Sequence, residues 1–473
     1  MNATLSRLAL LSLLCAPFAT LAHAQLSLNS EPESITLTLY HQDLAHIQDQ
    51  RAIPALDANQ SVYIEGVSPQ LLTETLRIQG AGQVLEQSLI PAQLNYDRLL
   101  ETHVGKPVTL AYRNPVNGEE TLSRVTLLSL EGVRALIRQE NGRVEPIDLY
   151  DNAWRFLFEE VPAQLNAQPV LGFRTQGTET PGLLTLSYLS HGLGWSMDYR
   201  INLAQNGRSL SLEGLASLHN LSGTDFNNAS LRLMAGDVKQ GDPEPHRIMR
   251  AMAMADSYES AAPVQPSSLQ GYYIYRWPTE ITLKNQEHKL IPLISAQDLP
   301  AVLSYQHSFP IIPILDNQRY DAQPNIQLRF NLPNIMDSSS PAPAGNIRVF
   351  RPDTEGEMQF IGAGSIGNLG SGEEASVTLG QAMDLSIQRR QVMFTDNEDN
   401  LLIQYEVTAS NSARESRQVD LSAQFQQAWT LTESTHVMQE DNAGKLSWTM
   451  NLPAMGAETI RFTVELKKRL PRN

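Results

Sequence analysis

Apolar and polar residues alternate with a period of two through most of the chain, and this pattern restricts the fold more than any motif does. Successive side chains of a strand point to opposite faces, so such alternation describes strands with one buried and one wet face. Ile35, Leu37 and Leu39 alternate with Thr36, Thr38 and Tyr40. Near the other end, Ile460, Phe462, Val464 and Leu466 alternate with Arg461, Thr463, Glu465 and Lys467. Residues 326–332, 402–407 and 446–452 follow the same rule, and no segment carries a helical stripe over several turns. The expectation is an all-β protein with turn-rich connections.

The first 24 residues have the layout of a secretory signal peptide. Arg7 supplies a positive charge, residues 8–16 form a short apolar run, Pro17 breaks it, and Ala22-His23-Ala24 precedes Gln25. Cleavage is expected between Ala24 and Gln25, with delivery to a bacterial periplasm or beyond. The run is shorter than the roughly 20 apolar residues of a spanning helix, and no later segment comes closer, so no transmembrane segment is expected. Cys15 follows Leu14, where a lipid-attachment signal calls for a small residue, and reads as part of the apolar run. It is the one cysteine of the chain, which excludes a disulfide framework, a thiolate zinc site and an iron–sulfur cluster.

Three blocks follow the signal. Residues 25–95 read as a small β domain with strands at 34–40, 61–65 and 75–79. Residues 96–165 open on a short helix, 96–104, and continue as strands at 108–112, 121–130, 133–139, 143–149 and 155–158. Asn117-Gly118 and Asn141-Gly142 lie between these strands and suit tight hairpins, which need positive φ angles. Five short strands of this kind predict an SH3-like or Sm-like small barrel. Residues 166–473 are strand after strand and predict a β-sandwich domain. Within it, 246–270 has no period and much Ala, Ser and Pro, and reads as a mobile loop.

The charge balance narrows the partners. The chain has 35 Lys and Arg against 51 Asp and Glu, a net charge of −16. The barrel-like block alone has eight basic against eleven acidic residues. Nucleic acid is therefore not expected, because neutralising phosphates needs clustered cations.

Several motifs in the last block occur together in a known order. They are 187–203, SYLSHGLGWSMDYRINL; 219–237, HNLSGTDFNNASLRLMAGD; the Met- and Ala-rich 249–254; 343–350, PAGNIRVF; and the Gly-rich 360–389. With these the chain resembles a bacterial domain family of unknown function (domain of unknown function 4139) found in mucoidy-inhibitor-like proteins. The resemblance covers most of residues 183–466, and 25–95 is similar to the β domain that often precedes it there. Many relatives carry a long coiled coil between the two, where this chain has the barrel-like block. The resemblance implies an envelope-associated β protein, and it supplies no reaction, cofactor or catalytic residue.

The candidate sites are few. Gly362, Gly364 and Gly367 match a dinucleotide-binding G-x-G-x-x-G, with Asp384 about 20 residues on. The residues after Gly367 cannot propagate the helix whose amides would hold a pyrophosphate, so a glycine-rich hairpin returning at 375–379 is expected instead. Ser365, Asp384 and His436 stand in the order of a hydrolase triad but without the strand–turn–helix of a nucleophile elbow. His41 and His46 lack zinc-like spacing, and Asp396, Glu398 and Asp399 lack the rest of a calcium loop. Met249, Met252 and Met254 form M-x-x-M-x-M, a soft donor set suited to Cu(I), or else a loosely packed loop. Tyr273, Tyr275 and Trp277 would share one strand face and stack on envelope glycans, or else fill the core, and Trp195 and Tyr199 pose the same choice. The resulting expectation is a non-enzymatic interaction or structural module of the envelope, binding a protein partner by strand addition. A polysaccharide-binding or polysaccharide-processing protein is the alternative, and the oligomeric state stays open.

Overall fold

The computed structural model describes residues 25–28, 31–41, 43–162, 165–236, 238, 267–269, 271–332, 341–370, 372–440 and 445–468. Strands take 63% of the described residues and helix 3%, so the protein is all-β, as the alternation predicts. Residues 1–24, where the sequence predicts a signal peptide, lie outside the described residues, as does the segment 246–270, expected as a loop, apart from Ser267–Leu269. No helix among the described residues is long and apolar enough to cross a membrane. The chain forms two compact units.

One unit comprises the residues up to Ile35 together with His46–Ser190 and Ser222–Phe226. It contains a four-stranded sheet in the order Gln25–Leu28, Ser61–Glu65, Val170–Thr175, Val84–Ile90. The first pair is parallel and the other two are antiparallel. Val62, Ile64, Val170, Leu171 and Phe173 are buried along it. Thr75, where the sequence predicts the start of a strand over 75–79, instead ends the 3-10 turn Thr73–Thr75, and the strand is only Arg77–Gln79. Thr75 explains the difference, since both its N–H and its hydroxyl donate to the Leu72 carbonyl.

The same unit holds a five-stranded antiparallel sheet in the order Val144–Asp148, Arg134–Gln139, Glu120–Glu131, Pro107–Arg113, Trp154–Leu157. The helix before it is Tyr96–Thr102, and Asn95 caps it by accepting the Arg98 N–H at 2.8 Å. Gly118 and Gly142 take φ of +74° and +84°, the conformation that the Asn-Gly pairs predict for their hairpins. Leu100, Leu110, Leu127, Ile137, Ile147 and Phe156 bring the helix and all five strands onto one core. The outer strands Val144–Asp148 and Trp154–Leu157 share no ladder among the described residues. The hydrogen-bonded closure of the expected barrel is therefore not part of this sheet.

The other unit comprises Thr36–Ala45, His191–Leu221 and Asn227–Asn473. Its ten-stranded sheet runs in the order Met358–Ile366, Gly345–Pro352, Leu193–Leu203, Ser209–Asn220, Glu287–Pro310, Arg417–Gln424, Leu446–Leu452, Gln439–Glu440. Asn325–Asn331 and then Glu374–Gln381 branch from Glu287–Pro310. A five-stranded sheet follows the order Arg319–Ala322, Leu385–Asp396, Asn400–Asn411, Ala457–Lys467, Trp429–Ser434.

Along Asn400–Asn411, Leu401, Ile403, Tyr405, Val407 and Ala409 are buried while the residues between them are only half-buried. These side chains share a core with Val419, Leu421, Trp448 and Met450 of the ten-stranded sheet, so the two sheets face each other as a sandwich. Trp448 and Phe462 meet there with ring centroids 4.5 Å apart. Glu287–Pro310 is a 24-residue strand that the sequence conceals, because Pro292 and Pro300 read as strand breakers. It pairs first with Ser209–Asn220, across two register shifts, and then with Asn325–Asn331 and Arg417–Gln424.

Candidate interaction surface

Met358–Ile366 ends the ten-stranded sheet and, among the described residues, has a ladder on one side only, to Gly345–Pro352. Its nine residues, MQFIGAGSI, contain no charge and no proline. Edge strands normally carry such residues to block pairing with a stray strand. The other sheet-ending strands of five residues or more among those described do carry them. Val84–Ile90 has Glu86, Val144–Asp148 has Glu145, Pro146 and Asp148, Glu374–Gln381 has Glu374, and Trp429–Ser434 has Glu433. Met358 and Phe360 are 43% and 58% exposed, and Ala363 and Ser365 are exposed as well. A bulge at Ile361 interrupts the register with Gly345–Pro352. Phe360 sets its ring edge-to-face on Phe350 at 5.7 Å, and the Arg200 guanidinium lies 5.2 Å from the Phe350 ring.

Both ends of this strand are acidic. The turn before it holds Asp353, Glu355 and Glu357, and Asp353 accepts the N–H groups of Glu355 and Glu357 and the Gln359 side-chain amide. These hydrogen bonds, the one from Gln359 foremost, hold the Asp353 carboxyl below its ordinary value and therefore charged. After the strand, Glu373 accepts the Gly370 N–H at 2.8 Å.

A second cluster is built on Asp43, a residue held at φ +56°. Its Oδ1 accepts the Gly192 N–H at 2.8 Å, and its carbonyl lies 2.9 Å from His191 Nδ1. His219 Nε2 stands 3.9 Å from Asp43 Oδ1, and the His219 and His288 rings are 6.3 Å apart. His219 reaches this position across Gly194, its partner in the ladder. A Cβ on Gly194 would sit 2.6 Å from His219 Cε1. Gly194→Ala is therefore expected to cost about 1–3 kcal/mol, and adding His219→Ala should return most of it. Urea unfolding of the single and double variants checks this, and two additive losses would contradict it.

The chemistry open to this cluster is proton uptake. His219 titrates below the ordinary histidine value, chiefly through burial and further through His288, against the opposing pull of Asp43. His307 is lowered in the same direction by burial and then by Arg389. Both groups bind the proton more tightly in the unfolded chain, where the pKa is about 6.5. The stability they contribute is complete above that value and is lost as pH falls below it toward the native pKa. The urea midpoint should accordingly be lower at about pH 5.5 than at about pH 7.5, and His219→Gln with His307→Gln should narrow the gap.

The sequence-predicted residues fall differently. Tyr275 is 2% exposed and donates its hydroxyl to the Pro341 carbonyl, so it belongs to the core and shows no ring face to a sugar. Tyr273 is half-buried, and so is Trp277, which follows the strand Tyr272–Arg276 and donates its backbone N–H to the Leu231 carbonyl. Trp195 and Tyr199 are both 1% exposed and are core residues too. Trp195 Nε1 donates to the Met234 carbonyl, and the Tyr199 hydroxyl to that of Pro343. Met249, Met252 and Met254 lie outside the described residues, as does Ala24, whereas Gln25 opens the strand Gln25–Leu28.

The G-x-G-x-x-G stretch is not the expected hairpin turn, because Gly362 and Gly364 lie inside the strand Met358–Ile366. Cβ atoms there would meet the Leu379 carbonyl oxygen at 2.4 Å and Val377 Cγ1 at 2.7 Å. The glycines thus admit the strand Glu374–Gln381 at close range. Ser365 pairs with Asn346 in its ladder, Asp384 faces Arg417, and His436 Nε2 meets Glu458 at 2.8 Å, so these three make no triad. His41 stacks on Trp195, while His46 shares a hydrogen bond with the Ser187 hydroxyl. Among the described residues no three His, Cys, Asp or Glu side chains stand where they could hold a metal ion. Neither the uncharged edge nor the Asp43 cluster was a sequence expectation. Edge position depends on strand order, and no spacing links positions 43, 191, 219 and 288.

None of the curated proteins matches this sequence. The family described as a domain of unknown function, DUF4139, matches residues 184–468. That span starts in the strand Gly182–Ser190, takes in the uncharged edge strand and both sheets of the sandwich, and ends one residue past the strand Ala457–Lys467. Well over half of the chain is matched, and the protein belongs to the DUF4139 family.

Proposed function

We propose that the protein is a secreted or periplasmic, non-enzymatic β protein of the mucoidy-inhibitor-like kind, serving as an interaction module of the cell envelope. The observation that carries this reading is the uncharged, exposed edge strand Met358–Ile366 on a strongly acidic protein. A free sheet edge offers backbone hydrogen bonds to an extended segment of a partner, and side-chain contacts then select among segments. Export is supported by the charged, apolar and small-residue order of the first 24 residues, whose removal leaves every described strand whole.

Fractionation and intact-mass measurement of the protein in its native host test the first half. The expected species is periplasmic or secreted and begins at Gln25; an uncleaved cytosolic chain overturns export. Cross-linking in intact cells tests the second half and should return one recurrent envelope protein, with no turnover on a panel of ester, peptide, phosphate and glycoside substrates. Robust turnover overturns the non-enzymatic reading.

A further inference from the structure

The acidic residues at the two ends of the edge strand say what kind of segment it takes. We infer that Met358–Ile366 is completed by an extended strand of another protein, uncharged in its middle and basic at both ends. The inference rests on the interaction-module reading and names the partner's chemistry at that site. Three observations combine. The strand has one hydrogen-bonded neighbour, and the described residues supply no backbone bond to its outer side. Its own side chains carry no charge, so a charged residue in the middle of the incoming strand would be desolvated without a counterpart. Asp353, Glu355 and Glu357 precede it and Glu373 follows it, with Glu374 next to Glu373 already meeting Arg329 Nη1 at 4.0 Å, so cations at the ends of the partner would be attracted and anions repelled.

The same charges exclude a second copy as the occupant. Two copies joined edge to edge about a two-fold axis would run antiparallel, bringing the 353–357 end of one toward the 373–374 end of the other. Acid would face acid, on molecules each carrying −16. A foreign strand with Lys or Arg at its ends meets opposite charge at both.

The face that the incoming strand would extend is defined as well. Phe360 and Phe350 are cross-strand partners with Arg200 beside them, and Ala363 and Ser365 lie opposite Arg348 and Asn346. The opposite face at Gly362 and Gly364 is closed by Glu374–Gln381. Selectivity on the accessible face would therefore favour an apolar or aromatic side chain against Phe360 and small polar ones beside Ala363 and Ser365.

The test uses the full mature chain and a labelled peptide of alternating Thr and Val with two Lys at each end. The same peptide ending in Glu, and one with Pro replacing the central Val, serve as comparisons. Fluorescence anisotropy should show the Lys-ended peptide binding about ten-fold or more tightly than either. Hydrogen exchange should show added protection confined to 358–366. Ala363→Lys and Ser365→Lys, both at exposed positions, should keep the thermal midpoint and lose the binding about ten-fold. No binding, equal binding of the Glu-ended peptide, or unchanged binding by both Lys variants overturns the inference. So does a dimer in sedimentation that Ala363→Lys abolishes, which would make a second copy the occupant. An envelope partner that still cross-links to Ala363→Lys removes this site but leaves the interaction-module reading standing; a wild-type protein without any partner removes both.

Discussion

Replacing Arg389 by Ala should lower stability by about 3–5 kcal/mol, a large loss for a single side chain. Arg389 occupies an inward position on Leu385–Asp396, in register with Leu385 and Ile387, and is 7% exposed. Its guanidinium lies 4.7 Å from the Tyr320 ring centroid, 5.1 Å from that of Phe309 and 5.7 Å from that of Tyr405. Nη1 donates to the Pro310 carbonyl at 2.6 Å. A guanidinium is planar and weakly hydrated for a cation, so aromatic faces and a carbonyl offset more of its desolvation than they would for Lys. Truncation opens a cavity between the rings and leaves the Pro310 carbonyl without this donor. Arg389→Met fills most of the volume without restoring the donor, and should cost about half as much. Thermal and urea unfolding of the two variants measure the difference. A loss below about 1 kcal/mol for Arg389→Ala would show that the rings do not hold the cation as described.

Gly362→Ala should cost about 3 kcal/mol, whereas Gly367→Ala, in the same motif, should stay within about 0.5 kcal/mol. A Cβ on Gly362 meets backbone atoms, the Leu379 carbonyl oxygen at 2.4 Å and Cα at 2.8 Å, which cannot rotate away as a side chain can. Around Gly367 there is nothing within 4 Å. The pair separates two uses of glycine. In a dinucleotide site the glycines serve a phosphate and a helix start, and added NAD would raise the thermal midpoint. Here the midpoint should fall for Gly362→Ala, stay for Gly367→Ala, and not respond to NAD. A NAD-dependent rise would return the motif to nucleotide binding.

These two positions also mark how far sequence reading reaches. Residues 385–396 alternate well enough to be read as a strand, yet the Arg389-Arg390 pair leaves open which of the two points inward. The choice belongs to Phe309, Tyr320 and Tyr405, which come from three other strands and form the ring cage. The glycines of 362–367 were legible as a departure from ordinary strand composition. Their purpose was not, because the strand that crowds them, Glu374–Gln381, is hydrogen-bonded to Asn325–Asn331 rather than to their own strand.

Tyr275 repeats the lesson for binding sites. An aromatic run at strand spacing has the same sequence whether its face is wet or dry, and the Pro341 carbonyl and the Trp195 ring make it dry. The candidate edge was the least legible feature. Nothing local distinguishes MQFIGAGSI as an edge strand from the same residues in mid-sheet, where lack of charge is ordinary.

Period-two alternation was sufficient for the all-β class and most strand positions, and the Asn-Gly pairs for their two hairpins, because strand geometry and turn dihedrals act over a few neighbouring residues. The ordered motifs were sufficient for the family. Strand order, the 24-residue strand through two prolines, the caged arginine and the unpaired edge come from contacts between residues far apart in the chain. Which backbone groups find partners in a ladder, and which do not, is a property of the assembled sheets, since a hydrogen bond across a ladder has no counterpart in local spacing.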